Sequence, residues 1–219
     1  MRIHLKIKTP KQGIPILHQP LLTGTIHKWI GENNNVHGEL ALFSYSWLTG
    51  GRLKNGLLQF SNEGYFFISS HNDKLLAGII KGIQADPTMF NGLEVKEVLI
   101  ESNPDFSHIN HFNVASPIFI KRRNETSIQH ILYTNPLAGQ YLAETLQNKM
   151  EKVGLTDDAL KIEFDLSYSK ASTKLVHYNG IDNKTSWCPV IIEGKPETKA
   201  FAWNVGLGNS TGIGLGAIK

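Results

Sequence analysis

The sequence predicts an α+β protein of two tandem βαββαβ domains, the ferredoxin-like (RRM-like) order, and three observations carry that prediction. Hydrophobic periodicity over the first 101 residues runs strand, helix, two strands, helix, strand. From residue 115 onward the same order returns less cleanly, without any repeat of the sequence itself. The length, 219 residues, suits two domains of roughly 110 residues each.

Residues 2–8 alternate Ile3, Leu5 and Ile7 with Arg2, His4, Lys6 and Lys8, a strand with one polar face. Pro10, Gly13, Pro15 and Pro20 then interrupt the chain. From Leu21 to Ile30 the period is helical, with Leu22, Ile26, Trp29 and Ile30 on one stripe and Gly31 suited to the helix end. After the polar loop at 32–35, strands are expected at Leu42–Leu48 and Leu57–Phe60. The second of these is expected to turn at Asn62-Glu63-Gly64 into Tyr65–Ser69. A helix at Lys74–Ile83 and a strand at Glu94–Glu101 complete the first unit, residues 1–108, with the division near 104–114.

In the second unit, residues 109–219, strands are expected at Ala115–Lys121 and, shorter, at Ile128–Tyr133. Pro136–Val153 is the clearest helix, with Leu142, Leu146, Met150 and Val153 near one face and Gly154 after it. Strands at Leu160–Leu166 and Val190–Glu193 flank a hairpin region rich in Ser, Lys and Thr. A short helix at Thr198–Val205, a glycine-rich loop and a short last strand follow.

Hydrophobic residues make up 41% and charged ones 19%, enough apolar content for a buried core. The single cysteine, Cys188, excludes a disulfide within the chain and every zinc site built on several cysteines. No uncharged apolar run reaches the ~18 residues of a membrane span, and the alternating N-terminus is unlike a signal peptide. A cytoplasmic protein without membrane contact is expected. The net charge of +3 is small but unevenly spread. Arg2, Lys6, Lys8, Lys11, Lys28, Arg52 and Lys54 face only Glu32 and Glu39 within the first 60 residues, and Lys121-Arg122-Arg123 is a dense basic cluster. Such local fields attract polyanions even when the whole chain is nearly neutral.

The densest signal lies near the C-terminus, where five glycines fall between Gly206 and Gly216 among Asn209, Ser210 and Thr211. A dinucleotide-binding fingerprint would need a long helix and an acidic residue about 20 positions later. Only three residues follow Gly216. A phosphate loop would need Gly-Lys-Ser/Thr, also missing. Two readings stay open: backbone N–H groups facing an anion, or tight packing of a terminal hairpin.

The run Val205-Gly206-Leu207-Gly208-Asn209-Ser210-Thr211-Gly212-Ile213-Gly214 resembles the C-terminal signature of the CRISPR-associated repeat-specific endoribonucleases, the Cas-six (Cas6) family. The spacing is slightly compressed here, because Thr211 directly precedes Gly212. Leu42-Phe43-Ser44-Tyr45-Ser46 and the helix Leu22–Ile30 also resemble parts of that family. The resemblance implies tandem ferredoxin-like domains and metal-independent cleavage of CRISPR repeat RNA. In that reaction the ribose 2′-OH attacks the neighbouring phosphorus, leaving 2′,3′-cyclic phosphate and 5′-OH ends. Neither a metal nor a cofactor is expected. Expected partners are the repeat RNA and other CRISPR-associated proteins of an effector complex, with a homodimer left open.

Such chemistry needs a base, an acid and positive charge near the phosphate, and histidine suits both proton roles. Among nine histidines, the resemblance singles out His37, in the loop before the Leu42 strand. His27 lies about 115° around its helix from the apolar stripe, away from the core. Lys28 is a candidate for neutralising the phosphate, and Tyr45 for orienting the scissile nucleotide, although an alternating strand can equally turn it inward. One departure concerns charge: several members of that family place a lysine shortly after the loop histidine, and Glu39-Leu40-Ala41-Leu42 has none. RNA contacts are expected from Gly206, Gly208, Asn209, Ser210, Thr211, Gly212 and Gly214 in the loop. Arg52 and Lys54, and then Lys121, Arg122 and Arg123, are the expected basic contributors. A carboxylate at Gly212 is expected to oppose RNA while leaving the fold intact. His108-x-x-His111 lacks a third ligand and reads as an exposed loop. A non-catalytic RNA-binding subunit of the same fold is the alternative. A third reading is a small-molecule or regulatory ferredoxin-like protein with a structural glycine turn.

Overall fold

The computed structural model describes residues 1–31, 40–123 and 127–219. In the first half the elements are β1 (Arg2–Lys8), β2 (Ile14–Pro15), α1 (Gln19–Ile30), β3 (Phe43–Tyr45), β4 (Thr49–Lys54), β5 (Leu57–Ser70), α2 (Asp73–Ala85) and β6 (Glu94–Glu101). Strands β3, β5, β1 and β6 lie side by side, all antiparallel, the strand order of a ferredoxin-like unit. Ile3, Leu5 and Ile7 of β1 are fully buried and join Leu22, Ile26 and Trp29 of α1 with Leu76, Ile79 and Ile83 of α2 in one core. Period-two and period-3.6 stripes thus meet face to face. Gly31 ends α1 at φ 92°.

The expected turn at Asn62–Gly64 does not exist. β5 runs unbroken for 14 residues, and its hairpin partner is β4, joined through Asn55 and Gly56 at φ 52° and 76°. That Asn-Gly pair is the two-residue turn with both φ values positive. Gly64 serves close strand approach instead: a Cβ there would sit 2.9 Å from the Ile7 side chain across the ladder.

The second half holds β7 (His111–Phe112), β8 (Ile120–Arg123), β9 (Ile128–Ile131), α3 (Ala138–Glu151), β10 (Lys161–Phe164), β11 (Ser172–Tyr178), β12 (Ile181–Trp187), β13 (Val190–Glu193) and α4 (Pro196–Val205). A one-turn 3₁₀ helix spans Thr211–Ile213. Strands β10, β13 and β7 form the sheet, and the C-terminal residues close it through a Val114–Ile218 bridge. The hairpins β8–β9 and β11–β12 are additions to the βαββαβ order. The expected strand at 115–121 is shorter: single bridges at Ile118 and Phe119 precede β8, because Pro117 brings no N–H to a ladder. The expected last strand is likewise reduced to that bridge, since Gly216 at φ 74° bends the chain three residues before its end. Buried residues from Phe106 to Ile218 form the second core.

Arg2 fastens the two units together. It is 2% exposed, and its guanidinium donates to Ser69 Oγ, Trp203 O and Ile218 O at 2.7, 3.1 and 2.7 Å. The Phe67 and Trp203 rings cover it at 3.7 and 3.5 Å, so its charge is held by carbonyls and π faces. Among the described residues, no helix is long and apolar enough to cross a membrane.

Candidate nucleic-acid interface

A cleft of about 630 Å³ opens between α1 and the glycine-rich loop. Pro20, Thr23, Gly24 and His27 form one wall. Their spacing places them on one face of α1, turned away from the Leu22–Ile26–Trp29 stripe. The opposite wall is Gly208 to Ile213. Thr145 and Lys149 of α3 supply a third side, Tyr178 and Asn179 come from the β11–β12 turn, and Leu40 and Ala41 complete the lining.

The loop's path depends on glycine at several positions. Gly206, Gly208, Gly214 and Gly216 have φ of 71–81°, where a side chain is strained. A Cβ on Gly206 would lie 2.7 Å from Gly216 O, and one on Gly214 would lie 2.6 Å from the Tyr45 ring. Leu207 N–H donates to Gly216 O at 2.8 Å, Gly216 N–H to Pro117 O at 2.8 Å, and Asn209 N–H to Phe119 O at 2.7 Å. These bonds anchor both ends. At the crest, the N–H groups of Ser210, Thr211 and Gly212 have no hydrogen-bond partner among the described residues. The packing and anion-facing readings thus divide the loop: ends pack, crest lines the cleft.

The predicted site residues separate into four groups. His37 lies outside the described residues. His27 stands half-buried in the cleft wall, and Gly208, Asn209, Ser210, Thr211 and Gly212 face it from the loop. Gly206 and Gly214 sit behind this lining as buried packing positions. Several other candidates are not brought to the cleft. Lys28 follows His27 by the helical 100° and points to the end of α2, bonding Asp86 Oδ2 at 2.9 Å and Thr88 O at 2.5 Å. Tyr45 is fully buried. Its hydroxyl bonds that of Thr23 at 2.5 Å, and burial drives its pKa far upward, so it braces α1 from below. Arg122 is turned inward to Glu144 (2.7 Å) and the Tyr141 carbonyl (3.0 Å), which compensates its charge. Arg52 and Lys54 lie on β4 and Lys121 and Arg123 on β8, all away from the cleft lining and mostly exposed. Lys121 is nevertheless tied to the loop, its N–H donating to Asn209 Oδ1 at 2.7 Å. Of the His108–His111 pair, His111 is held by Asp165 at 3.0 Å.

Two features escaped the sequence reading. Lys149 is 2% exposed, and its Nζ donates to Val205 O, Gly206 O and Thr211 Oγ1 at 3.3, 3.5 and 3.2 Å. Burial pushes its pKa down to about 7. Its spacing from Leu142 and Leu146, on the apolar stripe of α3, was the available signal. The second is His130, whose pKa is lowered by burial and then by Lys184 and Lys121, marking a basic cluster on the hairpins beside the loop.

A family model described as "CRISPR associated protein Cas6, C-terminal" matches residues 101–219. Among solved structures, one described as CRISPR associated protein Cas6 aligns over 100% of this chain and 98% of its own, with TM-score 0.86 at 22% identity. A Cas6-related protein from Pyrococcus furiosus aligns over 100% and 97%, with TM-score 0.85 at 19% identity. A RAMP protein described as binding different RNA substrates aligns over 100% and 98%, with TM-score 0.85 at 18% identity. At these identities the likeness is one of fold, two tandem ferredoxin-like domains. No curated protein matches the sequence.

Proposed function

The chain belongs to the Cas6 family of CRISPR-associated proteins, and from that premise we propose that it is an endoribonuclease that cuts CRISPR repeat RNA. The observation that carries this reading is the cleft in which His27 of α1 faces the crest of the glycine loop. A histidine opposite unengaged backbone N–H groups is an arrangement suited to a phosphodiester. The N–H groups meet the phosphate oxygens and the imidazole moves a proton.

The reaction needs no water in its first step. A base removes the 2′-OH proton, the 2′-oxygen attacks the adjacent phosphorus, and the bond to the 5′-oxygen breaks as an acid protonates it. His37 and His27 take these two proton roles. Only two residues of sequence separate His37 from Leu40, which lines the cleft. Lys121 and Arg123, with Arg52 and Lys54, are proposed to guide the flanking RNA by charge.

The test uses repeat RNA from the array of the same genome, incubated with the protein in EDTA. One cut is expected, with a 5′-OH on the downstream fragment that a polynucleotide kinase labels without prior phosphatase. Tight binding without any cut would assign the chain to the non-catalytic RNA-binding subunits instead. Cutting that EDTA abolishes would overturn the metal-independent mechanism.

A further inference from the structure

Lys149 is a buried cation with no anion among the described residues to balance it. Its three partners are two carbonyls and one hydroxyl, and burial alone moves its pKa. Among the described residues, the other titratable side chains lining its cleft are His27 from α1 and Tyr178 from β11, and none of the lining residues is a carboxylate. From α4 and the loop it meets only Val205, Gly206 and Thr211. On its own helix, Glu144 is taken by Arg122 and Gln140, while Glu151 and Lys152 are exposed. A lone buried ammonium is costly to folding unless some partner completes it. Lys28 and Arg122 are engaged elsewhere, by Asp86 and Glu144. The sequence after His37 has no lysine before Arg52.

We propose that Lys149 is the binding residue whose ammonium takes a backbone phosphate of the RNA as its counter-ion, at the base of the glycine-loop crest. This inference rests on the RNA-cleavage reading above. Thr211 connects the two parts: it accepts from Lys149 and donates to Ala41 O at 3.4 Å, four residues of sequence after His37.

A proton accompanies this phosphate. In the free protein Lys149 loses its charge as pH rises through about 7, whereas a neighbouring phosphate holds the charged form to higher pH. RNA binding therefore takes up protons above about pH 7, and affinity falls there as pH rises. Below that pH the lysine contributes no dependence.

Calorimetry at about pH 8, in two buffers of different ionisation enthalpy, counts the protons. The RNA carries a 2′-deoxy substitution at the mapped cut, so binding is read without turnover. Uptake approaching one proton is expected for the wild type, and its loss in Lys149→Met assigns it to this residue. Lys149→Met is expected to lose that uptake and bind about tenfold or more weakly. Its log–log salt slope should be shallower by about 0.7, one phosphate contact on a single strand. Wild-type uptake near zero, or an unchanged proton count and slope in Lys149→Met, would overturn the inference while leaving RNA cleavage standing. Should Lys149→Met not fold, Lys149→Gln is read in its place by the same proton count and salt slope. A wild-type chain that binds no repeat RNA would overturn both the inference and the reading beneath it.

Discussion

His37→Ala is expected to slow single-turnover cleavage of repeat RNA about 100-fold or more while barely changing RNA affinity. A positioned general acid or base contributes on that scale. Affinity for RNA comes mainly from many phosphate contacts, to which one imidazole adds little. Rapid-quench cleavage and filter binding on the same preparation separate the two effects. A wild-type rate in His37→Ala would remove this residue from the chemistry and leave His27, already on the cleft wall, as the leading proton carrier.

The second large effect divides the glycine loop into its ends and its crest. Gly216→Ala is expected to destabilise the protein by about 3 kcal/mol or more. Its φ is 74°, and a Cβ would overlap the Leu207 carbonyl oxygen. Ser210→Asp is expected to melt near the wild type. Ser210 is exposed and already left-handed at φ 60°, a conformation that Asp tolerates. Its added charge should weaken RNA binding about tenfold, a deficit that shrinks as salt rises. Denaturant titration and salt-dependent binding check the pair, and an Asp variant with full RNA affinity would detach the crest from RNA. The carboxylate at Gly212 expected from the sequence to spare the fold is a poorer probe. A Cβ at Gly212 would lie 3.0 Å from Ala41 Cβ and 3.3 Å from the Phe43 ring, so charge and packing change together.

Much of the architecture was legible because single stripes specify it. β1 buries the residues its periodicity marks, and α1 buries Leu22, Ile26 and Trp29 of its stripe with Ile30 half-buried at its end. The mistaken turn at Asn62–Gly64 came from reading a glycine in a polar run as a bend, when only the facing Ile7 explains it. The site was legible in outline for a similar reason: the glycine run and His27 are local signals. What stayed hidden depends on contacts between distant residues. Lys28 and Arg122 look like free cations in sequence, and only Asp86 and Glu144, 58 and 22 residues away, show them occupied. Lys149 looks like a solvated helical lysine until α4 and the loop close over it.

The central claim is an internal attack by the ribose 2′-hydroxyl, and one substrate tests it. Repeat RNA with hydrogen in place of the 2′-OH immediately upstream of the mapped cut should bind as tightly as unmodified RNA. It should remain uncut at that position over the time in which the unmodified strand is consumed. Cleavage of the deoxy substrate at the same bond would contradict the mechanism, because its nucleophile would be gone.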